Sequence, residues 1–143
     1  MELTPQILLV VLPLIFLGGF VDSVAGGGVI SYTNEVKHRV LGVSRDTLAQ
    51  YTAVSAETAG EMARGARRLL GADIAVSVTG LAGPDGDGTG RPVGLVYIAL
   101  DRAAGCLVQE LHLAGDRAAV RGAAAQAIFA LLLEALSNSE ECL

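Results

Sequence analysis

The segment DIAVSVTGLAGPDGDGTGRPVGLVYIAL, residues 73 to 100, constrains the fold of this chain more than any other. DIAVSVT and VGLVYIAL are apolar, β-branched runs of strand length, and glycines at 80, 83, 86, 88 and 90 lie between them. Such glycine density rules out a helix through the loop and marks a strand that ends where the backbone must turn. Cys106 to Leu113 reads as a third strand. The short turn DRAAG makes 93–113 a β-hairpin.

Helical segments flank these strands. GVISYT, residues 28 to 33, reads as a further strand, and Asn34 is placed to cap a helix over Glu35 to Leu41 that Gly42 ends. Arg45 to Tyr51 reads as another helical turn or two. Ser55 starts a longer helix that reaches Leu70 and stops at Gly71, with Ala59, Met62, Ala63, Ala66, Leu69 and Leu70 recurring at three and four. Arg64, Arg67 and Arg68 are expected on its solvated face. Asp116 is the expected N-cap of a last helix through Leu136. Strands interleaved with helices, including an antiparallel pair, predict an α/β fold with a mixed sheet covered by helices.

The amino-terminal part is different in kind. Ile7 to Val21 carries no charge, yet it is shorter than the ~20 residues that cross a bilayer as a helix. Glu2 is the only charge before it, which fits a signal peptide poorly. Residues 1–26 therefore read as a hydrophobic leader helix, either packed on the domain or in contact with a membrane through residues 7–21, and residues 27–143 read as the soluble domain. The run LPLIFLGGFVDSVAGGG resembles the first membrane helix of TauE/SafE-type anion exporters. One marginal span cannot build a transport path.

A net charge of −5 excludes a general nucleic-acid binder, which needs clustered Lys and Arg. The two cysteines, Cys106 and Cys142, give no disulfide framework and suit a reduced, cytoplasmic chain, with an inner-membrane-associated location as the alternative. His38 and His112 stand apart from other ligand types, so no metal site and no cofactor are expected.

Two places can carry chemistry. In α/β sheets ligands bind beyond the carboxyl ends of strands, and a glycine loop there can turn backbone N–H groups toward an anion. Thr79 adds a hydroxyl at that strand mouth. The pattern is neither a Walker loop nor a dinucleotide fingerprint. Lys37 can reach the same sheet edge, and desolvation would make it a base; Tyr32 can donate to the same centre.

From about Gly27 to Leu136 the chain resembles the carboxy-terminal CinA domain, the nicotinamide-nucleotide amidase family. The resemblance is carried by GGVISYTNEVKHRVLGV, AVSAETAGEMARGAR, SVTGLAGPDGDGTGRPVGLVYIAL and GDRAAVR, in that order. It implies a three-layer α/β/α sandwich and metal-free hydrolysis of nicotinamide mononucleotide (NMN) to nicotinate mononucleotide and ammonia, within NAD salvage. On the matching positions Lys37 resembles the family's lysine base and Tyr32 its active-site tyrosine. Thr79, Gly80 and Gly83 resemble the substrate loop, Asn34 and Glu35 its supporting shell, and Arg117 and Arg121 the element at the start of the last helix. An arginine at a helix N-terminus opposes the dipole, which points to an anion or carboxylate partner there.

The family's ESCTGG segment, with its serine nucleophile, its preceding strand and its following helix, is missing. DSVAGG, residues 22 to 27, imitates it, but Ser23 lies only fourteen residues before Lys37 and leaves no room for the intervening helix. The reading is thus a seam within Gly26–Gly28 rather than a working nucleophile, with the amino-terminal part of the amidase domain replaced by a hydrophobic helix. A non-catalytic nucleotide-binding or oligomerisation module, a membrane-anchored fusion fragment, or a join of two unrelated coding segments are the rival readings. The open sheet edge left by the missing strand favours a homo-oligomer.

Overall fold

The computed structural model describes residues 33–140 of the chain, and the side chains of residues 33–137. The elements run α1 (Asn34–Leu41), α2 (Arg45–Tyr51), α3 (Ala56–Leu70), β1 (Ile74–Gly80), β2 (Leu95–Arg102), β3 (Gly105–His112) and α4 (Arg117–Glu140). The hydrophobic leader, Ser23, Tyr32, the seam and nearly all of the GVISYT run lie outside the described residues.

Among the described residues the sheet has the order β1-β2-β3, and both pairings are antiparallel. The long connection carries the chain from β1 to β2, and Ala103 and Ala104 alone join β2 to β3, where Arg102 pairs with Gly105. Among the described residues the expected helices and the strands of DIAVSVT, VGLVYIAL and Cys106–Leu113 are present and the α/β class holds, while the described part of the sheet is antiparallel throughout rather than mixed.

The pleat sorts β1 and β2 into two faces. Val76, Val96, Ile98 and Leu100 point to α4 and meet Val120, Ala124, Ile128, Leu131, Leu132 and Ala135 in the main core. Each fully buried side chain of this kind contributes roughly 1.5–3 kcal/mol by leaving water. By length and composition α4 could span a bilayer, but the face just named covers the sheet.

The opposite face is built for close approach. Ala75, Ser77 and Thr79 of β1 lie beside Asp101, Ala99 and Tyr97 of β2 in register. Ala59, Ala63 and Ala66 of α3 settle on these small residues. The helix comes near enough for Ser77 Oγ to donate to Ala59 O at 2.6 Å. Helices therefore lie on both faces of the sheet, which gives three α/β/α layers.

α1 packs on α3 through Gly65, where a Cβ would stand 1.7 Å from Leu41 O; only glycine allows this crossing. Leu41 and Val43 complete that small core with Met62 and Ala66.

Local signals explain the ends. Ser55 Oγ accepts from Thr58 N at 3.1 Å as the cap of α3, and Gly71 closes it with φ 60°. Asp116 Oδ1 accepts from Ala119 N at 2.9 Å at the start of α4. The cap of α1 is Thr33, whose extended backbone and hydroxyl receive Val36 N, so Asn34 is the first helical residue rather than the cap. Arg67 also departs from expectation. It leaves the solvated face and donates through Nε to the buried Asp101 carboxylate at 2.6 Å, because α3 crosses β2 where that acid needs a partner.

Candidate active site

Lys37 is the only lysine of the chain, and it is buried, 5% exposed. It lies on the face of α1 that turns toward α3 and the end of β1. Its Nζ donates to Ala53 O at 2.8 Å and to Thr79 Oγ1 at 3.0 Å. Thr79 Oγ1 in turn donates to Ala53 O at 2.6 Å. The Thr79 hydrogen is thereby committed to Ala53, so the lone pairs of its oxygen face the amine.

Burial pushes the Lys37 amine down to about 8 from an ordinary value of 10.5. The neutral amine has two hydrogens and one lone pair. Both hydrogens have acceptors here, Ala53 O and Thr79 Oγ1. The lone pair is left to take a proton. A base near neutrality, desolvated and fixed in direction, is what this corner can supply.

The glycine loop borders the same corner. Gly80 ends β1 beside Thr79, and a Cβ there would meet Val96 Cγ2 at 2.7 Å and Leu95 O at 2.8 Å. Gly83 has φ 80°, and its carbonyl accepts from Arg117 at 2.9 Å. Arg117 thus holds the start of the loop by a carbonyl, and Arg121 lies one turn further along α4, partly buried. Glycine 94 seals the other end, its N–H donating to Leu81 O at 2.7 Å. Residues 84–90 between them are exposed.

Asn34 and Glu35 are exposed at the start of α1. Glu35 pairs with Arg39, one turn on, and with Arg45 at 3.7 Å, so its carboxylate is engaged at the surface. Lys37 and Thr79 are in direct contact, Gly80 follows Thr79 at the strand end, and Arg117 braces the loop at the Gly83 carbonyl. Tyr32 and Ser23 lie outside the described residues. His38 Nδ1 is within 2.8 Å of Val43 O, and His112 pairs with Glu110 at 2.7 Å, each with a local partner. Among the described residues no group of three or more His, Cys, Asp or Glu side chains could hold a metal ion.

Sequence reasoning missed three contributors. The first is the Ala53 carbonyl, a backbone group that no side-chain pattern reveals. The second is Arg91, which reaches the segment just before it. The third is Tyr97, directly opposite Thr79 in the β1–β2 ladder, whose hydroxyl donates to Glu110 Oε2 at 2.9 Å. Alternation in VGLVYIAL puts Tyr97 on one face of its strand, but only the register shows which residue it faces.

A three-layer domain with a buried lysine and a glycine loop at a strand end defines a class of small α/β domains. Comparison with known proteins makes the assignment specific. The CinA C-terminal domain family matches residues 19–136, and the chain belongs to it. The match begins inside the segment read as leader and takes in residues 19–26.

The chain is 52% identical over 94 residues to a CinA-like protein of Geobacter sulfurreducens, covering 66% of this chain and 23% of that protein. It is 48% identical over 112 residues to a CinA-like protein of Syntrophomonas wolfei, covering 78% and 27%. It spans about a quarter of the length of the curated relatives it matches. Among solved structures, a CinA superfamily protein of Klebsiella pneumoniae aligns with TM-score 0.74 at 32% identity, covering 85% of this chain and 82% of that one. One from Enterobacter cloacae aligns with TM-score 0.73 at 30% identity, covering 83% and 76%.

Proposed function

We propose that this domain holds an amide-hydrolysing nucleotide site of the nicotinamide-nucleotide amidase type, with Lys37 as its base and NMN as its ligand. The single observation that carries the reading is the Lys37–Thr79–Ala53 arrangement: a buried amine near neutrality whose hydrogens are taken and whose lone pair is free. Hydrolysis of a carboxamide needs an oxygen that forms a bond to the carbonyl carbon and gives up its proton. Lys37 accepts that proton. As the C–N bond breaks, the lysine returns the proton to the departing nitrogen, which leaves as ammonia. N–H groups of the glycine loop stabilise the oxyanion formed between the two steps.

The attacking oxygen is the weak part of this site. Ser23 is the one hydroxyl on a segment like the family's nucleophile segment, and its spacing from Lys37 is wrong for that frame. Loss of a nucleophile leaves roughly 10³–10⁴-fold catalysis over water. We therefore expect weak NMN binding and ammonia release far below that of a family relative assayed in parallel.

The test is ammonia release from NMN by the full chain, Ser23→Ala and Lys37→Ala. Residual release should rise with pH through about 8, as the base loses its proton, and should vanish in Lys37→Ala. Turnover equal to the relative's that disappears in Ser23→Ala would restore the serine as nucleophile. Absence of any NMN binding would remove the nucleotide reading.

A further inference from the structure

Arg91 stands at the far end of the glycine loop yet makes its contacts at the carboxyl end of α2. One terminal guanidinium nitrogen donates to Thr52 Oγ1, and the other donates to Tyr51 O at 3.0 Å. Tyr51 O is one of the carbonyls a helix end leaves without an intrahelical partner, so a guanidinium fits there.

Thr52 is unusual. With φ 71° and ψ 178° it is the one non-glycine residue with positive φ among the described residues. A β-branched residue there is strained, and such strain persists only where the surroundings over-determine it. Here they do. Arg91 holds the hydroxyl, while the Thr52 carbonyl accepts from Thr58 Oγ1 at 2.7 Å and from Ser55 Oγ at 3.4 Å. The next residue is Ala53, whose carbonyl receives both Lys37 and Thr79.

We propose that Arg91 is a positioning residue for the lysine: by latching Thr52 in its strained conformation, it holds the Ala53 carbonyl against Lys37 and keeps water from the amine. The proposal deepens the reading of Lys37 as a base and rests on it. Arg91 belongs to the loop assigned to the ligand, so displacement of the loop at residue 91 is passed to the carbonyl that faces the lysine.

The ionisable groups around this corner are accounted for. On α1, Glu35 is turned to Arg39 and Arg45, and His38 to Val43 O. On α3, Glu61 accepts from Ser44 N and Thr47 Oγ1, and Glu57 sits in the first turn, close enough to act on Tyr97. Tyr97 on β2 is bonded to Glu110, and Arg91 itself acts on Tyr97 and on Asp87. Burial alone causes the lowered Lys37 value.

The experiment is competitive acetylation of Lys37 across pH, read by mass spectrometry, on the full chain and on Arg91→Ala, Arg91→Lys and Thr52→Gly/Arg91→Ala. The chain has a single lysine, so the side-chain signal belongs to one residue, and in Arg91→Lys peptide mapping separates Lys37 from the lysine introduced at position 91. The wild-type midpoint should lie at about 8. Arg91→Ala should raise it by about one unit or more, because the entering water both replaces the lost carbonyl as an acceptor and relieves the burial that holds the value down. Arg91→Lys, which supplies one donor head for two acceptors, should fall between. Glycine adopts positive φ without a side-chain clash, so the double variant should return toward the wild-type midpoint.

A midpoint in Arg91→Ala that stays put or falls, with only a lower melting temperature, would overturn the proposal and leave Arg91 as a fastening of the loop. Should Arg91→Ala fail to fold, the Arg91→Lys midpoint decides in the same way. A chain that never hydrolyses NMN can still give the expected midpoints, so the two readings fail separately.

Discussion

Lys37 Nζ lies 3.0 Å from Thr79 Oγ1, although 42 residues separate them in the chain. The contact depends on two close approaches, of α1 to α3 at Gly65 and of α3 to the small-residue face of the sheet. The same packing buries the amine and lowers its proton affinity. Stability and chemistry are coupled at this one contact.

The first expected outcome concerns pH. The folded value of Lys37, about 8, lies below the ordinary 10.5 of an unfolded chain. Below pH 8 both states carry the proton, and the folded state bears the full cost of a buried ammonium. Between 8 and 10.5 the unfolded chain binds more protons, so this cost fades and stability rises with pH. The effect is at most about 3.5 kcal/mol, at roughly 1.4 kcal/mol per unit. Urea midpoints of the wild type and Lys37→Met from pH 7 to 10.5 should differ in pH dependence, the wild type gaining on the variant across that window. Parallel curves would mean an ordinary lysine.

Thr79 separates hydrogen bonding from shape. Thr79→Val keeps the volume but removes the acceptor for Lys37 and the donor to Ala53 O, and should cost about 1–2 kcal/mol. It should also lower the Lys37 midpoint further, since the ammonium loses an acceptor. Thr79→Ser keeps the hydroxyl and should stay near the wild-type midpoint. Denaturant unfolding together with lysine acetylation checks both, and a Thr79→Val chain with unchanged Lys37 reactivity would contradict the contact.

Gly65 tests the helix crossing. A methyl group there meets the Leu41 backbone, which cannot yield as a side-chain tip would. Gly65→Ala should cost about 3 kcal/mol or more, at the upper end of overpacking effects. Any folded fraction should show a faster-reacting Lys37, because α1 is pushed off α3. A melting temperature equal to wild type would contradict the crossing.

Much of this was legible in the sequence. Arg45 to Tyr51 forms the expected helix, Ser55 and Asp116 cap where their side chains allow, and Lys37 meets the strand end at Thr79. These features depend on local periodicity or on short motifs. The misplaced cap of α1 shows the resolution of such signals: Thr33 and Asn34 are both capping types, and only the backbone at Thr33 decides between them. What stayed hidden is long-range. The Arg67–Asp101 pair spans 34 residues and the Arg91–Thr52 contact 39, and neither spacing follows from any helix or strand period.

The Arg67–Asp101 pair carries its own expectation. Asp101 is nearly fully buried, and Arg67 is its charge partner. Arg67→Ala leaves a buried carboxylate alone and should cost about 3 kcal/mol. Adding Asp101→Asn should recover a good part of that loss, as measured by urea midpoints. If the double variant is no more stable than Arg67→Ala, the pair does not act as a buried charge couple.

The most direct measurement for the proposed amidase-type site is the acetylation rate of Lys37 at pH 8 as NMN is added, with the amino-terminal amine as internal reference. We expect the rate to fall in a saturable way at high NMN while the reference rate holds, because on the proposed reading the nucleotide's carboxamide would occupy the space in front of the lysine's lone pair. A Lys37 rate that stays equal with and without NMN, under conditions where a family relative is protected, would contradict the assignment of Lys37 and Thr79 to a nucleotide amide site.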